Sequence, residues 1–209
     1  MHSHPEAADT LIVGAMLYDG TGKPPVERDV AVRDGRIAAI GNLSNWVAEE
    51  TVEAEGRALA PGFIDVHTHD DIHAIRSPQM LPKLTQGVTT VIVGNCGISA
   101  SPVTLAGDPP DPMNLLGGPD AFRYPTFAAY RAAVDAARPA VNVAALVGHT
   151  ALRNNHMDRL DRAATQAELE AMRAQLEEAL AHGALGLSSG LAYGSANAAP
   201  TEEVMALAE

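Results

Sequence analysis

The sequence predicts an α/β chain in two parts: a small all-β module over residues 1–60 and four βα units over residues 61–209. Three observations carry this. Residues 10–60 hold short apolar runs broken by Gly-containing turns. From residue 61 the pattern changes to apolar strand, then amphipathic helix, repeated. That alternation favours a parallel sheet with helical crossovers. A closed (β/α)8 barrel takes about 250 residues, so four units are read as its first half. A complete four-stranded open sheet is the alternative. The last helix is cut at Glu209, which reads as a truncated chain.

In the first part, Leu11–Val13, Met16–Tyr18, Val30–Val32 and Ile37–Ile40 are the expected strands. Asp34-Gly35 between the last two is a hairpin signal, because Gly accepts a positive φ without steric cost. His2 and His4 belong to an expected frayed tail.

The second part opens on Phe63–Val66, expected as a buried strand entered through Pro61-Gly62. A helix near Met80–Gln86 is closed by Gly87. Val88–Val93, almost all β-branched or apolar, is the second strand and is expected to be buried on both faces. The Pro- and Gly-rich residues 100–125 are expected to form an irregular loop. Thr126 starts a helix that Pro139 ends. Val141–Val147 is the third strand. Thr165 and Glu168 form a capping box opening a helix with an apolar stripe of Leu169, Met172, Leu176 and Leu180. Gly183 closes that helix, Ala184–Leu187 is the fourth strand, and Thr201-Glu202-Glu203 caps a final helix.

Composition excludes several classes of function. The 209 residues are 46% hydrophobic and 19% charged, a globular balance. The net charge of -12 argues against nucleic-acid or anionic-membrane partners. No apolar run approaches the ~20 residues of a membrane span, and no signal peptide is evident. A single cysteine, Cys96, rules out an internal disulfide and suits a reducing, cytoplasmic compartment. A small-molecule substrate is expected; the oligomeric state is not legible.

The chemistry gathers at strand ends. Side chains alternate along a strand, so Asp65, His67 and His69 are expected on one face. Two imidazoles there make half of a metal site. Asp65 is either a partner for an imidazole or a plain strand-end polar contact. Asp70 and Asp71 are expected as solvated loop acids. Cys96 follows the second strand at the same end, where a thiolate suits zinc and can bridge two ions. Zinc lowers the pKa of a bound water to ~7 and polarises a carbonyl. A carboxylate must then carry a proton to the leaving amine. His149 ends the third strand and is either a substrate-pocket residue or a structural hydrogen-bonding one. Tyr193 follows the fourth strand. Arg153 and His156 are expected at the surface, with Arg153 in an exposed ion pair. His182 suits the last turn of its helix.

Val32–Gly41 together with Pro61–His69 resembles the opening of the metal-dependent amidohydrolase superfamily. Three motifs resemble its D-aminoacylase (N-acyl-D-amino-acid deacylase) branch: His67-Thr68-His69-Asp70-Asp71, Thr89–Gly97 and Gly186–Tyr193. The resemblance implies a (β/α)8 barrel with a small β-sandwich built from both chain ends. It implies zinc, one or two ions, held by His67, His69 and Cys96. Much of the superfamily uses a carboxylated lysine as the bridge. The two lysines here, Lys23 and Lys83, are wrongly placed for that, and Cys96 takes the part. The resemblance also assigns Tyr193 to the substrate. Its further histidines and its general-base aspartate fall beyond residue 209.

The implied reaction is hydrolysis of N-acyl-D-amino acids to a carboxylate and a D-amino acid. A related amidase, a cyclic-amide hydrolase or a non-catalytic fragment are the alternatives. The 209 residues alone are expected to have negligible activity.

Overall fold

The computed structural model describes residues 6–105 and 107–209. His2 and His4 lie outside the described residues. The chain forms two compact units that divide between Pro61 and Gly62.

The first unit is a five-stranded sheet of β1 (Ala7–Leu17), β2 (Val26–Arg33), β3 (Arg36–Gly41), β4 (Val47–Glu53) and β5 (Ala58–Leu59). The expected strands at Leu11–Val13 and Met16–Tyr18 are one strand, bulged at Gly14. Gly14 has φ +64°, and its N–H bonds Asp29 at 2.9 Å. The β2–β3 hairpin turns on Asp34 and Gly35, both at positive φ. β1 pairs antiparallel with β2 and parallel with β4. The charge-rich β4 gave no apolar alternation to read. Leu11, Ala31 and Leu43 are buried on one face, with Trp46 against them.

The second unit is built on parallel strands. β6 (Phe63–Asp65), β7 (Val88–Val93) and β10 (Asn142–Ala145) form one sheet in the order β10-β7-β6. β11 (Val147–Gly148) pairs in parallel with β12 (Leu187–Ser188). Between β6 and β7 lie two one-turn helices, α1 (His73–Arg76) and α2 (Leu81–Leu84), and between β7 and α3 lie the irregular residues 100–105 and 107–125. These irregular residues include the short antiparallel pair β8 (Val103–Thr104) and β9 (Arg123–Tyr124). α3 (Phe127–Ala137), α4 (His149–His156), α5 (Gln166–Ala181) and α6 (Thr201–Ala208) complete the unit.

Several expectations need correction, among them the fourth strand, which is Leu187–Ser188, and the helix near Met80–Gln86, which is Leu81–Leu84. Phe63, Ile64 and Val66 are exposed rather than buried, because β6 has a neighbour on one side only. The third strand breaks at Leu146, and His149 begins a helix directly after Gly148. The cap of α6 is Pro200, with Thr201 already helical. No helix among the described residues is long and apolar enough to cross a membrane.

The core lies between sheet and helices. Val91 and Val93 of β7 are fully buried with Ile98, Phe122, Leu152 and Met172. Tyr130 of α3 donates from its hydroxyl to the Asp71 carbonyl at 2.8 Å, tying helix to strand end. α5 buries Met172, Leu176 and Ala179, so Ala179 and not the half-exposed Leu180 completes its inner stripe.

The Thr165–Glu168 box closes in both directions. Glu168 also takes Arg162, with Nη2 at 2.6 Å from Oε1. Arg162 and the Thr165 backbone N–H hold the Glu168 carboxyl down at about 2. Its folded pKa therefore lies below its unfolded value. The contribution is present above the ordinary glutamate range and is lost as pH falls toward about 2. Unfolding in urea at stepped pH is expected to show Glu168→Gln losing less stability than the parent across that window. Parallel pH profiles would contradict the assignment.

Candidate metal centre

His67, His69 and Cys96 come together at the carboxyl ends of β6 and β7. One ligand atom from each lies within 4.8 Å of the others. The His67 Nε2 to Cys96 Sγ distance is 3.0 Å. The two imidazoles meet edge to face, with centroids 5.8 Å apart.

Local structure explains the convergence. Beyond Asp65 the chain stays beside β7 because the Thr68 N–H bonds the Ile92 carbonyl at 3.2 Å. Asn95 donates back to the Ile92 carbonyl at 2.8 Å. Cys96 stands at φ +57°, between Gly94 at +77° and Gly97 at +76° across Asn95. A non-glycine residue in that left-handed conformation costs about 1–3 kcal/mol and persists only where its surroundings enforce it. Those surroundings are backbone. A Cβ on Gly94 would stand 2.2 Å from the Leu146 carbonyl oxygen, and one on Gly148 2.5 Å from that of Gly97. A Cβ on Gly190 would stand 2.3 Å from the Cys96 carbonyl oxygen.

The donor set fits a zinc ion. His69 Nδ1 is the one buried side-chain nitrogen or oxygen among the described residues without a hydrogen-bond partner. A buried polar atom left unpartnered is costly, so the atom needs a partner that the described residues do not supply. Burial, and then the neighbouring His67, push the His69 pKa down and favour the neutral ring that a metal requires. Two imidazoles and a thiolate are ligands zinc accepts, and three protein donors leave a position open for chemistry.

The acids beside the histidines differ from expectation. Asp65 does not reach an imidazole. Its Oδ2 accepts from Lys83 Nζ at 2.7 Å, and Asp70 meets the same ammonium at 3.1 Å. Thr68 also donates to Asp70. Asp71 is 2% exposed and not solvated. It accepts from the Ala100 N–H at 3.1 Å and the Gly94 N–H at 3.3 Å. Burial raises its pKa to about 6 against those two bonds. The helical spacing around Lys83 gave no sign of this ion pair, which depends on a turn reaching back across the sheet end.

Tyr193 and His149 lie around the fourth strand end. The Tyr193 phenol lies beside Cys96, which raises the phenol's pKa. His149 is fully buried, with Nε2 2.9 Å from Glu203 and Nδ1 3.3 Å from the Ser189 hydroxyl. Its ring therefore stands behind Ser189. Desolvation lowers its pKa and keeps it neutral. Arg153 is fully buried, not at the surface, paired with Glu203 and donating to the Leu160 and Arg162 carbonyls. Glu203, unremarkable in the sequence, is the acceptor at the centre of this network. His156 is half-buried on Gln175, and His182 caps α5.

Residues 50–209 match the amidohydrolase family. The chain is 51% identical over 201 residues to an N-acyl-D-aspartate deacylase of Alcaligenes xylosoxydans xylosoxydans, covering 96% of this chain and 40% of that protein. A solved D-aminoacylase with a binuclear metal centre superposes with a TM-score of 0.93 at 46% identity, over 96% of this chain and 42% of that one. A Bordetella bronchiseptica N-acyl-D-glutamate deacylase, solved with zinc and a phosphonate mimic of the tetrahedral intermediate, gives 0.92 at 46% identity, over 97% and 42%. The chain thus spans about two fifths of the length of these relatives.

Arg153→Met leaves Glu203 buried without its cation and is expected to cost about 3–5 kcal/mol of stability. Urea denaturation measures it, and adding Glu203→Gln is expected to recover part of the loss. A cost under about 1 kcal/mol would mean that the pair is solvated.

Proposed function

The chain belongs to the amidohydrolase family, and from that premise we propose that it supplies one side of the metal centre of a zinc-dependent deacylase. The enzyme hydrolyses the amide bond of N-acyl-D-amino acids, releasing a carboxylate and a D-amino acid. The observation that carries this is the meeting of His67, His69 and Cys96 donors within 4.8 Å. The finer architecture proposed is a β module over residues 1–60 and the first four βα units of a (β/α)8 barrel over residues 61–209. The parallel pairings within β6, β7 and β10 and between β11 and β12 support it.

In this reading His67, His69 and Cys96 would hold zinc, as one or two ions. Bound there, zinc supplies a Lewis acid for the amide carbonyl and an activated water. The other roles assigned to this chain are taken by its own side chains. Tyr193, kept protonated beside Cys96, donates a hydrogen bond to a substrate oxygen. Ser189, backed by the neutral His149, presents its hydroxyl at the same strand end. The closed Lys83–Asp65–Asp70 cluster holds the histidine loop in place. A free thiolate ligand suits the reducing cytoplasm.

Metal removal by a chelator is expected to abolish deacylation of an N-acyl-D-amino acid by the purified enzyme, and zinc to restore it. Cys96→Ala is expected to lower kcat/KM by more than the about 10–100-fold typical of an outer-shell change. Equal turnover of both substrate enantiomers, or unchanged activity in Cys96→Ala, would refute the reading.

A further inference from the structure

The turn that carries Cys96 is held by a residue from a distant strand. Ser188, in β12, directs its hydroxyl at both ends of the turn. Ser188 Oγ donates to the Gly94 carbonyl at 2.5 Å and accepts from the Gly97 N–H at 3.0 Å. The two bonds span the left-handed Gly94, Cys96 and Gly97. Ser188 also has an ordinary place in the ladder, its backbone opposite Gly148. That pairing makes no use of the hydroxyl. The adjacent Ser189 turns the other way, to His149.

We propose that Ser188 is the positioning residue of Cys96: its hydroxyl clasps the Gly94–Gly97 turn and keeps the thiol facing His67 and His69. The proposal rests on the reading of Cys96 as a metal ligand. A hydroxyl is suited to the task because it donates and accepts at once. The donor it satisfies, Gly97 N–H, and the acceptor, Gly94 C=O, face each other across a turn with no room for a side chain at either glycine. Asp71 holds the opposite side through the Gly94 and Ala100 N–H groups, so the turn is fixed from both neighbouring strand ends. Without the hydroxyl, Cys96 is free to leave its left-handed conformation, which a cysteine does not prefer.

Ser188→Thr and Ser188→Val form the test, being isosteric strand-forming side chains that differ in the hydroxyl. Ser188→Ala is a third variant, and Ser189→Ala is the neighbour control. Cys96 is the sole cysteine of these 209 residues, and the thiolate-to-cobalt charge-transfer absorption that is lost in Cys96→Ala is assigned to it. In the metal-free protein, the rate of Cys96 modification by a disulfide reagent is the second readout. Ser188→Val and Ser188→Ala are expected to lose about 10–100-fold in Co2+ affinity, with a weakened charge-transfer band and faster thiol modification. Ser188→Thr and Ser189→Ala are expected to match the parent. If Val and Thr behave alike in both readouts, the clasp is refuted. If Cys96→Ala keeps the parent's Co2+ affinity, the ligand reading itself fails, and the positioning role falls with it.

Discussion

Close backbone packing at the carboxyl ends of the parallel strands is the constraint on which the second unit depends. Gly94 lies on the Leu146 carbonyl, Gly148 on that of Gly97, and Gly190 on that of Cys96. At each contact a Cβ would stand 2.2–2.5 Å from an oxygen, closer than any side-chain rearrangement can relieve. The glycines therefore set how closely consecutive strand ends converge. That convergence brings a cysteine after the second strand, histidines after the first and a tyrosine after the fourth to one place. Such sites at strand ends suit a fold whose helices and strands do the holding while loops carry the chemistry.

Convergence of this kind buries polar groups, and the structure satisfies them in two different ways. Behind the fourth strand end, Arg153, Glu203 and His149 form a network with the Ala164 N–H on the second carboxylate oxygen. Each partner in it compensates the desolvation of another, as a buried ion pair requires. Beside the histidines, Asp71 is satisfied by backbone N–H groups alone, and burial wins over those bonds to raise its pKa to about 6. Against this background of partnered polar atoms, the unpartnered His69 Nδ1 stands apart.

Much of this was legible in the sequence where local chemistry decides local structure. The Asp34-Gly35 hairpin, the Thr126 cap and the Thr165–Glu168 box follow from backbone and side-chain preferences a few residues apart, and each forms. His67, His69 and Cys96 were legible because ligand-type side chains fall at the ends of apolar strands. What local pattern did not reveal was decided by partners far along the chain. Arg153 looks like any surface arginine until Glu203 arrives 50 residues later. Asp71 looks like a loop acid until Ala100 supplies its N–H. Phe63 and Ile64 read as buried from their apolarity, but burial depends on what packs over a strand's faces, and among the described residues β6 pairs with β7 alone.

The charge balance around the histidine loop explains why Lys83 belongs there. Asp65 and Asp70 lie beside the loop, and two unpaired carboxylates so close would repel each other. Lys83, at 2.7 Å and 3.1 Å, offsets one of the two charges and fixes both side chains. One net negative charge is left near the donors, which favours a cation without supplying a competing ligand. The ammonium gains from the same arrangement, since its pKa is raised by the two carboxylates despite the opposing effect of burial. A lysine so engaged keeps its proton and is unavailable as a neutral amine. In the proposed metal centre the anionic donor is instead the thiol of Cys96, one strand away and 3.0 Å from His67.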